Sequence, residues 1–154
     1  MRVELWSVGK TKNRESTRWI HQYQERIQKY HPVHLEEIVI REKSADPSYL
    51  KQVEGEKILD RLGVNDYLIL WDENGMIFTS RELARFLEVQ MISRIRRMIF
   101  LIGGAHGFDP TVYQRAQYQI SLSKMTFPHD MARLMAMEQL YRAFSILHHS
   151  PYHH

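Results

Sequence analysis

The chain has 154 residues, of which 44% are apolar, so it is long enough to bury one core but short for two domains. It has no cysteine, no apolar run near the roughly 20 residues that span a bilayer, and no basic-then-apolar leader. We therefore expect one cytoplasmic domain over residues 1–154, with no membrane contact. Basic side chains are concentrated in residues 1–30 and at Arg94, Arg96 and Arg97, so the net charge of +3 suits either RNA or a solvated surface.

The amino-terminal segment shows a strand, a helix and a second strand in succession. Residues 3–8 have the composition of a short strand. Residues 19–30 carry apolar side chains at helical spacing, and His31-Pro32 is expected to stop that helix. Residues 33–40 then predict another strand, so the chain begins with a β-α-β unit.

The middle of the chain continues the alternation of helices and strands. Asp46-Pro47 predicts an N-cap followed by proline at the first helical position, and we expect that helix to run to a left-handed C-cap at Gly63. Residues 67–71 form a continuous apolar run, which is typical of a strand covered on both faces in a parallel sheet. Asn74-Gly75 after this strand predicts a turn.

The whole pattern predicts an α/β domain with a mainly parallel sheet and helices on both faces. Thr79 and Glu82 form a capping-box pattern that begins a helix. Residues 98–102 form a second buried-strand run. The remaining predicted elements are a helix that begins at Asp109-Pro110, a strand over residues 118–122 and a long helix that Asp130 caps and that runs toward Leu147.

The second buried-strand run leads directly into Gly103-Gly104-Ala105-His106-Gly107. Open α/β sheets bind ligands at the carboxyl ends of their strands, and glycines there let a ligand approach the backbone closely. A strand-to-helix turn that needs positive φ would also use glycine. The spacing matches neither the dinucleotide fingerprint nor a Walker loop.

Residues 121–129, Ser-Leu-Ser-Lys-Met-Thr-Phe-Pro-His, follow the last predicted strand. Their backbone groups could bind the edge of an adenine while Leu122, Met125 and Phe127 supply an apolar slot. The alternative is an ordinary loop in which Met125 and Phe127 plug the core.

The final helix and the tail hold further candidates. Glu138 and Arg142 stand four residues apart on one helical face, and the simplest interpretation is a surface ion pair. The tail from residue 148 to 154 is rich in histidine. A terminal segment seldom supplies the orientation that zinc requires, so we predict no metal.

Six segments in a fixed order carry a family resemblance: Val8-Gly9-Lys10, Glu54-Gly55-Glu56, Leu-Ile-Gly-Gly-x-x-Gly over residues 101–107, Ser-Leu-Ser-x-Met-Thr-x-Pro-His over residues 121–129, Glu138-Gln139-Leu140-Tyr141-Arg142-Ala143 and Pro151-Tyr152-His153. Together they resemble the SPOUT methyltransferases. Within that class they resemble the short bacterial enzymes that methylate N3 of a pseudouridine in large-subunit ribosomal RNA. The resemblance spans the chain.

The resemblance implies a SPOUT-type α/β fold whose carboxyl-terminal part forms a deep trefoil knot, an exception to the rule against threading. It implies S-adenosyl-L-methionine as cofactor and the assembled ribosome as acceptor. It also implies a homodimer in which each tail reaches the partner's pocket, so that the active site is composite. The implied cofactor-binding residues are Trp71, Gly103, Gly104, Ser123, Lys124, Met125, Thr126, Phe127 and Pro128.

Methyl transfer from a sulfonium is an in-line displacement, so the protein must hold the donor and align the attacking nitrogen. A neutral imide N3 is a poor nucleophile until its proton leaves, so a base should help. The candidate bases are His129, Glu138 and His153, with Arg142 and Tyr152 orienting the base or binding a phosphate. The sequence leaves open which group takes the proton, or whether water does.

Two other functions are compatible with parts of the sequence. A non-catalytic RNA-binding or ribosome-binding module would account for the basic amino-terminal region, and it predicts no affinity for the cofactor. A nucleotide-dependent oxidoreductase on a Rossmann-like sheet predicts dinucleotide binding. The glycine spacing and the lack of a placed acid for a ribose argue against the oxidoreductase.

Overall fold

The computed structural model describes residues 1–152 and contains a five-stranded parallel sheet between two layers of helices. The strands are β1 (Arg2–Val8), β2 (Val33–Ile38), β3 (Tyr67–Ile77), β4 (Arg97–Ile102) and β5 (Tyr118–Ser121). Their order in the sheet is β2-β1-β4-β3-β5, and all four pairings are parallel. The helices are α1 (Arg14–Ile27), α2 (Pro47–Leu59), α3 (Ser80–Ile92), α4 (Pro110–Arg115) and α5 (His129–Leu147).

An apolar core lies on each face of the sheet. On β3, Ile69 and Trp71 face the core covered by α1, α3 and α5, whereas Leu68 and Leu70 face the core covered by α2 and α4. Because both faces are covered, the strand has no polar face, which explains its unbroken apolar run. The predicted α/β class with a mainly parallel sheet is confirmed.

Three helices begin where the sequence predicts. Asp46 and Asp109 each accept a hydrogen bond from the amide two residues on, and a proline follows each of them. Thr79 and Glu82 form the reciprocal bonds of a capping box. Each such cap stabilises its helix by about 1 kcal/mol. These starts position the loops that precede α2, α3 and α4.

Two predicted caps are wrong. Helix α2 ends at Leu59 with a right-handed Asp60, and Gly63 lies beyond it without positive φ. Helix α5 begins after Pro128, so Asp130 lies within its first turn. The Asp130 carboxylate instead accepts hydrogen bonds from the backbone amides of Lys12 at 3.2 Å and Asn13 at 2.7 Å. Asp130 therefore fastens the β1–α1 loop to α5.

The predicted turn at Asn74-Gly75 is also wrong, because both residues lie within β3. Trp71 and Met76 both pair with Ile120 of β5, so the register shifts across residues 72–75. A Cβ at Gly75 would stand 2.6 Å from backbone atoms of Ile120. The glycine is needed for this close approach of two backbones rather than for a turn. Within residues 1–152, none of the helices combines the length and apolarity needed to cross a bilayer.

Candidate functional site

The carboxyl ends of β4 and β5 lie on either side of the middle of β3. Trp71 of β3 pairs with Ile102 of β4 on one side and with Ile120 of β5 on the other. The segments that follow β4 and β5, together with residues 71–73 of β3, surround a cavity of about 370 Å³. This position and size are typical of small-molecule sites in open α/β sheets.

Most of the residues predicted to bind the cofactor line this cavity, which we call the strand-end cavity. Lys124 and Pro128 do not line it, although both belong to the same loop. Pro128 lines an adjoining cavity instead. The predicted residues that do line it are Trp71, Gly103, Gly104, Ser123, Met125, Thr126 and Phe127, and their neighbours in the wall include Asp72, Glu73, Phe108 and Leu122.

Trp71 places a polar atom without a partner beside the strand-end cavity. The residue is 9% exposed, and no acceptor within residues 1–152 bonds its indole Nε1. Its ring packs against Phe100 at a centroid distance of 6.1 Å. A buried donor without an acceptor is costly. Because this atom is buried, the indole contributes an apolar wall to the cavity.

Gly103 and Gly104 lie in close contact with neighbouring side chains and are not in a left-handed conformation. Neither has positive φ, which among the described glycines occurs only at Gly9 and Gly107. A Cβ at Gly103 would stand 3.0 Å from the ring of Phe108. A Cβ at Gly104 would stand 2.8 Å from both carboxylate oxygens of Glu54. The turn interpretation is thus wrong for these two positions.

The loop after β5 is held by short-range hydrogen bonds. The Ser121 hydroxyl donates to the carbonyl of Ser123 at 2.8 Å, and the amide of Met125 donates to the Ser123 hydroxyl at 3.0 Å. Met125 is 75% exposed, so the interpretation of this segment as a core plug is wrong for that residue. The loop instead presents apolar side chains and backbone to the strand-end cavity.

The four candidate catalytic residues that the structure describes do not come together within one chain. His129 lines the strand-end cavity. Glu138, Arg142 and Tyr152 form a separate cluster, in which Arg142 pairs with Glu138 at 2.7 Å and the Tyr152 hydroxyl donates to Glu138 at 3.2 Å. His153 lies outside the described residues. None of the three cluster residues lines the strand-end cavity.

The cluster is more buried than the sequence suggests. Glu138 is only 7% exposed, so the prediction of a surface ion pair is wrong. The Arg142 guanidinium lies 4.8 Å from the centroid of the Tyr152 ring, and that ring packs on Tyr141 at 4.5 Å. Burial is the largest cause that raises the pKa of the Tyr152 hydroxyl, which therefore stays protonated at neutral pH. The hydroxyl can donate a hydrogen bond but is a poor base.

Sequence reasoning missed Asp72 as part of the wall. Its carboxylate accepts a hydrogen bond from the Tyr113 hydroxyl at 2.5 Å. Burial, followed by the neighbouring carboxylate, raises the pKa of Tyr113 to about 12. The signal in the sequence was the acidic residue directly after a buried strand, but its partner on α4 is 41 positions away. This bond links the end of β3 to the helix layer.

A second cavity of about 410 Å³ adjoins the first. The two share Gly104, Ala105 and His129 as wall residues. The rest of its wall comes from the end of β1, the β1–α1 loop, α2 and the start of α5, and includes Val8, Gly9, Lys12, Ile40, Glu54, Pro128, Asp130 and Arg133. We call it the acidic-walled cavity because Glu54 and Asp130 both contribute to it.

Comparison with known proteins identifies relatives over the full chain. The family described as "Predicted SPOUT methyltransferase" matches residues 1–153. A protein named ribosomal RNA large subunit methyltransferase H from Christiangramia forsetii is 43% identical over 156 residues, which covers 100% of this chain and 99% of the relative. A protein of the same name from Cytophaga hutchinsonii is 43% identical over 155 residues and is covered completely.

The fold is similar to that of a solved structure, a probable methylase family protein from Haemophilus influenzae. The TM-score is 0.53 at 13% sequence identity, and the match covers 96% of this chain and 66% of the other. At this identity the similarity concerns the fold alone. It agrees with the parallel α/β architecture described above.

Proposed function

Because the chain belongs to the SPOUT methyltransferase family, we propose that it transfers a methyl group from S-adenosyl-L-methionine to N3 of a pseudouridine in large-subunit ribosomal RNA. The strand-end cavity carries the proposal, since seven of the nine residues expected to bind the cofactor line one cavity of about 370 Å³. The names of the relatives support the ribosomal RNA substrate. The nucleotide and the N3 position rest on the motif resemblance.

The residues of the strand-end cavity fit the cofactor. The segment of residues 121–127 offers backbone groups beside apolar side chains, and the Trp71 ring adds apolar surface. Asp72 and Glu73 supply carboxylate oxygens that can accept from ribose hydroxyls. When bound, the cofactor supplies an electrophilic methyl group on a sulfonium. The chain has to orient that group and exclude water from it.

The separate position of the tail cluster supports a homodimeric enzyme. Glu138, Arg142 and Tyr152 contact one another but not the strand-end cavity of their own chain. In the proposed dimer, each tail approaches the cavity of the partner and completes it. The trefoil knot, the cytoplasmic location and action on the assembled ribosome belong to the same proposal and follow from the resemblance.

Two measurements on the wild-type chain test the function. Titration calorimetry should give heat with S-adenosyl-L-methionine and with its demethylated product. Incubation with the radiolabelled cofactor and with ribosomes that lack the modification should put label into the large-subunit RNA. A non-catalytic module would give no heat with the cofactor, and an oxidoreductase would give heat with a dinucleotide instead. Either result on folded protein would contradict the proposal.

A pair of variants on one loop tests the position of the site. Thr126→Trp places a large ring in the wall of the strand-end cavity, so we expect cofactor affinity to fall at least about tenfold, or about 1.4 kcal/mol. Lys124→Trp on the same loop is the control, because Lys124 does not line the cavity. Replacing Gly104 by a bulky residue should also reduce labelling sharply. If wild type and Thr126→Trp bound the cofactor with equal affinity, the cofactor could not occupy the strand-end cavity as proposed.

A further inference from the structure

The acidic-walled cavity adjoins the cavity proposed to hold the methyl donor. It shares Gly104, Ala105 and His129 with the strand-end cavity, so molecules in the two cavities would be in contact across those residues. Its volume of about 410 Å³ is within the range of ligand sites. Its outer wall includes the exposed Lys12, which suits a ligand that carries phosphate.

Glu54 contributes a carboxylate to this cavity, and the charge of His106 acts on it. The Glu54 side chain is half-buried on α2, and no hydrogen bond or ion pair to it is found within residues 1–152. Both carboxylate oxygens lie 2.8 Å from the place where a Cβ of Gly104 would stand. Glycine at position 104 therefore gives the carboxylate its room at the boundary between the two cavities.

Two other charged groups in the same wall make structural hydrogen bonds. Arg133, which is 4% exposed, donates from its two terminal guanidinium nitrogens to the carbonyl of Val8 at 2.7 Å and to the Thr11 hydroxyl at 3.0 Å. Asp130 accepts from the backbone amides of the β1–α1 loop. Their bonds build the cavity wall. Glu54 has no such structural role, and a half-buried carboxylate without one is a mark of a functional site.

We propose that the acidic-walled cavity receives the acceptor pyrimidine and that the Glu54 carboxylate takes the imide proton. This inference rests on the proposed function. The lone pair of N3 forms the new bond to the methyl carbon, and the bond between sulfur and that carbon breaks. Sulfur keeps the electron pair as a neutral thioether, the N3 proton passes to an oxygen of Glu54, and solvent later removes it.

Glu54 suits this step better than His129, which also borders both cavities. His129 is exposed at the start of α5, so solvent competes for its ring nitrogens. The Glu54 carboxylate is shielded by Gly104 and the surrounding wall, where its charge interacts more strongly with a cationic donor and an acidic N–H. The assignment adds a residue of α2 to the site.

Single-turnover methyl transfer to unmodified ribosomes tests the assignment. We expect Glu54→Gln to slow methyl transfer by about 10²-fold, the lower end of the range for loss of a general base. The affinity for the cofactor should stay within about twofold of wild type. Glu56→Gln is the matched control, because Glu56 is exposed on the same helix and bonds only Gln52 among the described residues. It should transfer at the wild-type rate.

A rescue experiment separates a proton acceptor from a packing residue. Formate added to Glu54→Ala should restore part of the transfer rate, since a small carboxylate can occupy the vacated space, and should not affect Glu56→Ala. Wild-type transfer by Glu54→Gln would overturn the proposal, and so would a loss of cofactor affinity that accounts for the whole defect. Absence of cofactor binding by the wild-type chain would instead contradict the proposed function.

Discussion

Burial of the Glu54 carboxylate opposes folding. Burial is the largest cause that raises its pKa above the ordinary value of 4.5, and the charge of His106 lowers it only in part. A carboxylate that has left water and accepts no hydrogen bond destabilises the folded chain whenever it is ionised. The room made by Gly104 places that charge at the boundary of the two cavities. Stability and the proposed activity therefore conflict at this residue.

Removing the charge of Glu54 should stabilise the protein in a way that depends on pH. Near pH 4 the side chain is largely protonated in the folded and unfolded states, so Glu54→Gln should have a Tm close to that of wild type. As the pH rises, the unfolded chain loses this proton first, and wild type loses stability until the raised pKa is passed. At about pH 7 we expect the variant to melt higher by about 1–2 °C.

Differential scanning calorimetry of both chains at several pH values measures this difference. Glu56→Gln serves as the comparison, since its carboxylate is exposed and should show no such trend. Other titrating groups are common to all three chains and cancel in the difference. A Tm of Glu54→Gln that falls below wild type as the pH rises would show that the ionised carboxylate stabilises the fold.

At the scale of elements, the sequence predicted a helix or strand correctly where the residues that determine it lie within a few positions of one another. The apolar runs of β3 and β4 and the capping box at Thr79 and Glu82 predicted real elements, because burial on both faces and N-capping leave direct marks in the sequence. Asp130 was assigned wrongly, since the amide of Lys12 that it binds lies 118 positions away. No periodicity reveals such a partner.

The sequence likewise predicted some residues of the candidate site but not others. Gly103 and Gly104 were predicted from their position at the carboxyl end of a buried strand, whereas Trp71 was predicted from the family resemblance; all three line the strand-end cavity. Glu54 received no role from the sequence, because it reaches the site from α2, and only the packing of Gly104 against it reveals the contact. Helix residues that face a site carry the same amphipathic pattern as residues that face the core.

Gly75 offers a test of the register shift between β3 and β5. A Cβ there would stand 2.6 Å from backbone atoms of Ile120, and backbone cannot move aside as a flexible side chain can. We expect Gly75→Ala to lower the free energy of unfolding by about 2–3 kcal/mol. Urea unfolding followed by circular dichroism measures the change.

Gly63→Ala is the control for this substitution. Its Cβ would meet only the Asp66 carboxylate at 3.4 Å, and Gly63 has no positive φ. Loss of unfolded-state freedom on replacing glycine is worth about 0.4–1 kcal/mol, so this variant should stay within about 1 kcal/mol of wild type. Equal unfolding free energies of the two variants would mean that β3 and β5 separate at Gly75 without cost.

At the scale of the whole molecule, the described part of the tail packs against helices and does not line the strand-end cavity. Tyr30 donates to the Ser150 hydroxyl at 2.9 Å, and the Tyr152 ring packs on Tyr141 at 4.5 Å. These contacts hold the end of the described chain against α1 and α5. The strand-end cavity has no wall residue beyond Ala132 within residues 1–152. This arrangement supports the proposal that the tail acts on a second chain.

Mixed dimers test that arrangement directly. Thr126→Trp blocks the cavity but keeps the tail, and deletion of residues 152–154 removes the tail but keeps the cavity. Each variant alone should transfer little methyl, although the deletion variant should bind the cofactor as wild type does. If the two variant chains are present in equal amounts and pair at random, about half of the dimers are mixed, and each mixed dimer has one complete site of two. Co-expressed chains should therefore recover about a quarter of the wild-type rate. If co-purified mixed dimers recovered no activity, the cavity and the tail would have to belong to one chain. If the deletion variant alone were fully active, the tail would have no catalytic role.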